Sequence, residues 1–181
     1  MIVWINGAFG AGKSTVAAQV RSQLPAARHF DPEYVGFVLS RFRPVPTGDF
    51  QDLPQWRSWV VRLGRLLARG GRPVVVPMTL IRTDYRAAVL GGLRERGVPV
   101  RQVVLRVPEP LLRARIDGDR TLPEESRRWR HDHVAPALAA LTGLADREPE
   151  TIEVDNYDRS PAAVAAEIVS SLPVASADPG R

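Results

Sequence analysis

Eight residues near the N-terminus, Gly7-Ala8-Phe9-Gly10-Ala11-Gly12-Lys13-Ser14, have the spacing G-x-x-x-x-G-K-[ST]. Glycines in such a run let the backbone bend until successive N–H groups point inward at phosphate oxygens. A helix starting behind the turn, at Lys13, Ser14 and Thr15, adds partial positive charge. Lys13 supplies an ammonium that can reach β- and γ-phosphates, and Ser14 a hydroxyl that can ligate Mg2+. The chemistry on offer is the binding of a nucleoside triphosphate, ATP being the default. Because the pattern can occur by chance, its setting matters. Ile2-Val3-Trp4-Ile5-Asn6 before it is short and apolar, as a buried parallel strand should be. Val16 to Val20 after it reads as a helix that ends before Pro25. Lys13 is also the only lysine, while the other 24 basic residues are arginines. A phosphate loop needs a compact ammonium on a flexible stem, which a planar guanidinium cannot replace.

The next residues with chemical potential follow a second short apolar run. Asp31 stands before Pro32, with Glu33 beside it. Asp31 can cap a helix that begins at Pro32. It can also place a carboxylate beside the phosphate loop, to accept a proton from a substrate hydroxyl or help hold magnesium. The two roles do not exclude each other. Residues 41–53 carry Pro44, Pro46 and Gly48 and read as an irregular, functional loop with Phe50 and Gln51 near its end. Trp56 and Arg57 follow in the first turn of a helix, close enough to the loop to touch a ligand. Many phosphate-loop enzymes carry an acid at the end of the third strand, but here the chain reads Pro77-Met78-Thr79. Magnesium then lacks its usual second carboxylate, and Asp31 or a water network must substitute.

The elements that must position these groups alternate between apolar runs and helical patterns. The alternation predicts an α/β fold with a central five-stranded parallel sheet. The strands are expected at about 2–6, 27–30, 73–77, 100–106 and 151–155. Ligands collect at the carboxyl ends of such strands. A helix from about 54 to 69 should bury Trp56, Trp59, Val60, Leu63, Leu66 and Leu67, and residues 82–97 read as a surface helix closing at Gly97. The charged stretch 117–132 is either a solvated face or a lid. As a lid it would fold Arg115 and Arg120 over a transferring phosphate. Asn156, just after the fifth strand, lies where kinase-type folds border the adenine.

With 181 residues, 44% hydrophobic and 25% charged, the chain is expected to form one domain over 1–172 with a disordered tail at 173–181. It has no cysteine, which excludes disulfides and thiolate chemistry. No apolar run approaches the ~20 residues of a membrane span. The N-terminus reads as a strand rather than a signal peptide, so a cytoplasmic location is expected. The net charge of +5 raises nucleic-acid binding as a third possibility. The arginines are scattered, however, and no standard nucleic-acid motif is present, so a small-molecule partner is expected instead.

Several segments together resemble one family. Residues 5–14, the stretch Phe30-Asp31-Pro32-Glu33-Tyr34-Val35-Gly36-Phe37, residues 48–57, Val76-Pro77-Met78-Thr79 and residues 151–156 are similar to the bacterial tunicamycin resistance proteins. These are P-loop proteins akin to small kinases, and the resemblance covers residues 2–157. It implies a three-layer, nucleotide-kinase-like P-loop fold and ATP held by Gly7 to Ser14. It also implies a site for a nucleoside antibiotic with a uracil, sugars and an acyl chain, drawing on Asp31, Glu33, Phe37, Phe50, Gln51, Trp56, Arg57 and Thr79. Resistance could follow from phosphorylating a drug hydroxyl or from sequestering the drug without chemistry. The region 117–132 and the tail match the family least.

Overall fold

The structure is a computed structural model and describes residues 1–45 and 48–173. Apart from Pro173, the expected disordered tail lies outside the described residues. Five parallel strands form one sheet: β1 (Ile2–Asn6), β2 (Arg28–His29), β3 (Val74–Pro77), β4 (Val100–Arg106) and β5 (Thr151–Asp155), in the order β2-β3-β1-β4-β5. The expected three-layer P-loop fold is therefore found. β1 is central, with Ile2 beside both Val74 and Val100. Every residue of β1 is buried, which explains its unbroken apolar sequence.

Alternation along the strands divides the core into two layers. Val3, Ile5 and Val75 face one side, where α1 (Lys13–Gln23), α6 (Glu109–Gly118), α8 (Val134–Leu141) and α10 (Pro161–Ser170) contribute Val16, Leu112, Val134 and Ile168. Ile2, Trp4, Val74 and Val76 face the other side. There they meet α3 (Pro54–Leu67) and the helical run formed by α4 (Thr83–Arg86), a π-wound stretch Ala87–Gly91 and α5 (Gly92–Arg94). α2 (Pro32–Phe42) packs on α3 at the edge of this layer. The remaining helices, α7 (Glu124–Asp132) and α9 (Leu144–Arg147), flank α8 in the chain.

Three sequence expectations need correction. On α3 the buried face is Trp56, Val60, Val61 and Gly64, whereas Trp59 and Leu66 are 48% and 50% exposed. The helix turns Gly64 inward because a side chain there would press on Ile2 and Leu93, so the apolar stripe lies off its sequence-predicted centre. The helix expected on the surface over 82–97 instead buries Tyr85, Val89, Leu90 and Leu93. It also buries Arg86, whose guanidinium is answered by Glu148 at 3.0 Å; a buried charge persists only with such a partner. Finally, the second strand is only two residues long, although Phe30 N–H continues the ladder to the Val75 carbonyl at 3.1 Å. Among the described residues no helix is long and apolar enough to cross a membrane.

Candidate active site

The glycine-rich turn joins the end of β1 to α1. Gly7, Gly10 and Gly12 all have positive φ, with Gly10 and Gly12 both at +81°. A Cβ on Gly10 would meet the Leu112 carbonyl at 2.7 Å, and one on Gly12 would meet the Asn156 amide at 3.0 Å. These two positions need glycine for both conformation and space. Gly12 is the N-cap of α1 and brings no capping side chain. The first-turn N–H groups of Lys13, Ser14 and Thr15 have no intrahelical acceptor by geometry, and these three residues line a cleft. By contrast, Asp31 caps α2 and Ser160 caps α10 with their side chains. The bare start of α1 suits a polyphosphate, which would supply the missing acceptors.

The turn is braced on both flanks. Asn6 is fully buried at the end of β1. Its Oδ1 accepts from Gly7 N–H (2.9 Å) and Leu80 N–H (3.0 Å), and its Nδ2 donates to the Leu80 carbonyl (2.9 Å). On the other flank Asn156 donates to the Ala11 carbonyl at 2.7 Å. Arg115 bridges the Gly10 and Asn156 carbonyls at 3.4 and 3.0 Å, so it joins the turn to the segment after β5. Ala8 and Ala11 are buried, and only their backbone is available to a ligand.

Lys13 folds back over the turn. Its Nζ donates to the Gly7 and Ala8 carbonyls at 3.1 and 3.0 Å and lies 5.4 Å from the Phe9 ring centre. Burial lowers its pKa from 10.5 to about 8, with Glu33 pulling it back up and Arg130 pushing it further down. Lys13 lines a cleft of about 830 Å3 together with Glu33, Asp49, Phe50, Gln51, Thr79, Arg115 and Arg130. Partial enclosure raises the Glu33 pKa and the nearby Asp31 carboxylate raises it further, against the pull of Lys13 and Arg130. Burial likewise raises Asp49, whose Oδ1 accepts from Gln51 N–H at 2.9 Å.

The expected site residues divide accordingly. Glu33, Phe50, Gln51, Thr79, Arg115 and the turn are brought together. Asp31 is occupied as the α2 cap, accepting from Glu33 N–H at 2.9 Å, and it does not line the cleft. Phe37 is exposed and carries Arg41 over its ring at 5.1 Å. Trp56 is fully buried, with its indole N–H on the Pro32 carbonyl at 2.9 Å, so it supports α2 from within. Arg57 holds the Gln51 carbonyl and stacks over Tyr85, whose hydroxyl donates to Asp52; it buttresses the 50–52 segment. Arg120 is exposed and outside the cleft. Arg130, ten residues on, takes the inward place 6.0 Å from the Phe9 ring centre. Beside it Trp129 meets Phe9 edge-on at 4.9 Å and stacks on His133 at 4.0 Å.

Asn6, Asp49, Trp129 and Arg130 are the residues that sequence reasoning missed. Only Asn6 carried a local signal, as a polar residue closing an apolar strand directly before the glycine turn.

Comparison with known proteins fits this geometry. The chain superposes on the tunicamycin resistance protein of Deinococcus radiodurans with a TM-score of 0.71 and 26% identity, covering 93% of each chain. It superposes on a Sinorhizobium meliloti gluconokinase with a TM-score of 0.61 and 18% identity, over 93% of this chain and 89% of the other. For a Mycobacterium tuberculosis APS kinase in complex with AMPPNP and APS the values are 0.57 and 18%, over 93% and 95%. The two kinases establish likeness of fold. A comparison with curated proteins gives no match. The AAA domain family matches residues 2–141. With its glycine turn, bare helix start and four of its five parallel strands within that span, the chain belongs to the AAA domain family.

Proposed function

We propose that the chain transfers a phosphoryl group from ATP to a hydroxyl of a small molecule, with a nucleoside antibiotic such as tunicamycin as the substrate class. The observation that carries this is the pairing of Lys13 and Glu33 in one cleft: a cation for phosphate and a carboxylate with a raised pKa, close enough for each to shift the other. Bound ATP supplies the phosphoryl group. The N–H groups of Gly10 to Thr15 hold its phosphates, and Lys13 swings from its carbonyls to their oxygens. Arg115 and Arg130 offset the charge that spreads over the transferring group. Ser14 is the protein ligand that would hold Mg2+, and most of the coordination comes from phosphate and water. Glu33 accepts the proton that the acceptor hydroxyl loses as its oxygen bonds to phosphorus. Phe50, Gln51 and Thr79 border the acceptor, and Asn156 with Arg115 borders the adenine. Residues 117–132 close over both as a lid, within a single domain spanning 1–172. A cytoplasmic location follows from the need for ATP.

Sequestration without chemistry is the alternative. It is favoured by the segment just past β3, where Thr79 stands in place of an acid. Mass spectrometry of tunicamycin incubated with protein and Mg-ATP separates the two. A phosphate mass increase on the drug is expected. Unmodified drug that co-elutes with the protein only when ATP is present would overturn phosphotransfer in favour of sequestration.

A further inference from the structure

In the function proposed above, Lys13 leaves two carbonyls for phosphate. A buried carbonyl stripped of its donor costs stability, so the ease of that departure depends on what else the carbonyls hold. The Ala8 carbonyl also accepts from Ala11 N–H at 3.1 Å. The Gly7 carbonyl also accepts from the Thr79 hydroxyl at 2.9 Å. Thr79 is buried, at 8% exposure, and its backbone carbonyl accepts from the Gln51 amide at 3.2 Å. The next residue, Leu80, is fastened at both N–H and carbonyl by Asn6. The Thr79 hydroxyl is thus fixed in place at the end of β3, where related enzymes carry an acid.

We propose that Thr79 is a positioning residue for Lys13: its hydroxyl keeps the Gly7 carbonyl paired when the ammonium departs, and so sets how readily the lysine transfers to phosphate. The proposal rests on the nucleotide-binding part of the function above. Each carbonyl that Lys13 holds in the free chain has a second donor, so the ammonium is parked without being trapped. Removing the Thr79 hydroxyl makes Lys13 a more important partner of the Gly7 carbonyl. That carbonyl then holds the ammonium harder, so nucleotide must break a stronger contact and leave the carbonyl unpaired.

A single NMR resonance reads this directly, because Lys13 is the only lysine. Protein labelled with 13C at lysine Cε gives one side-chain signal, to be followed at constant pH as a non-hydrolysable ATP analogue is added. In the native chain the analogue should move the signal as the ammonium leaves the Gly7 and Ala8 carbonyls. In Thr79→Val, which preserves side-chain shape, the free-state signal should shift as the ammonium is held harder, and the analogue should bind about 5- to 100-fold more weakly, the range expected for leaving one buried carbonyl unpaired. Thr79→Ser should restore both the signal and the affinity. A Thr79→Val chain with native signal and affinity overturns the proposal, as does one with weakened affinity and an unmoved free-state signal, since that is a structural effect only. A native signal that ignores the analogue overturns the nucleotide reading, and the role of Thr79 with it.

Discussion

At the residue scale, two carboxylates two positions apart have different work. Asp31 spends an oxygen on capping α2, and Asn caps about as well as Asp. Asp31→Asn should therefore leave phosphotransfer and thermal stability nearly unchanged. Glu33 lines the cleft with no capping duty, so Glu33→Gln should lower kcat by roughly 10²–10⁴-fold, the usual worth of a positioned base. A steady-state assay of both variants checks this, and the reverse pattern would assign the base to Asp31. The Lys13 shift has its own pH signature. Its folded-state pKa is lowered to about 8 from 10.5, so between those values the free folded chain holds fewer protons than the unfolded one. The penalty for burying this charge is complete below the window, and stability rises with pH through it. Phosphate favours the charged amine, so nucleotide affinity should fall as pH climbs above 8, with a proton taken up on binding. Calorimetry at about pH 9 in buffers of different ionisation heat measures that uptake. Lys13→Ala should fold and lose both the binding and the uptake.

At the element scale, α2 and α7 shape the two walls of the cleft. Gly36 in α2 lies against the Phe50 ring, where a Cβ would come within 2.3 Å. In an exposed helix Gly→Ala gains about 1 kcal/mol. Here overpacking should reverse the sign and cost about 1–3 kcal/mol, while displacing Phe50 from the cleft wall. Denaturant unfolding of Gly36→Ala measures the stability, and substrate KM the displacement. α7 buries none of its residues and meets the phosphate turn through Trp129 and Arg130 alone among the aromatic and cation–ring contacts described. Few buried contacts make an element easy to open. Hydrogen exchange across 117–132 should be fast in the free chain and slow when ATP analogue and substrate are added; unchanged exchange would make it a solvated face. These walls were also the least legible part of the sequence. The phosphate turn is local, so its spacing alone revealed it. The choice of Arg130 over Arg120 depends on how α7 is rotated against Phe9, and its charged sequence carries no apolar stripe to fix that rotation. Trp56 next to a functional loop looked like a ligand contact because proximity in sequence does not reveal the Pro32 carbonyl beneath it.

At the scale of the whole molecule, the middle of the sheet was legible because β1 and β3 are buried along their whole length and read as continuous apolar runs. The helices over 134–147 went unassigned because small residues, such as Ala135, Ala137, Ala139 and Ala140, give a weak periodic signal. Several arginines stand in local pairs, such as Arg94 with Glu150, Arg106 with Asp155 and Arg159 with Glu167. The strand order has a consequence for synthesis. β1 is made before the other strands of the sheet, yet its neighbours begin at Val74 and Val100. At about 5–20 residues per second, the ribosome needs several seconds or more between releasing the glycine turn and releasing β4. Throughout that interval β1 lacks at least one of the two strands that flank it in the sheet. The glycine turn is thus translated ahead of both strands that flank β1 and assembled late, and chains cut short before β4 would leave one edge of Ile2 to Ile5 open to the folding machinery of the cell.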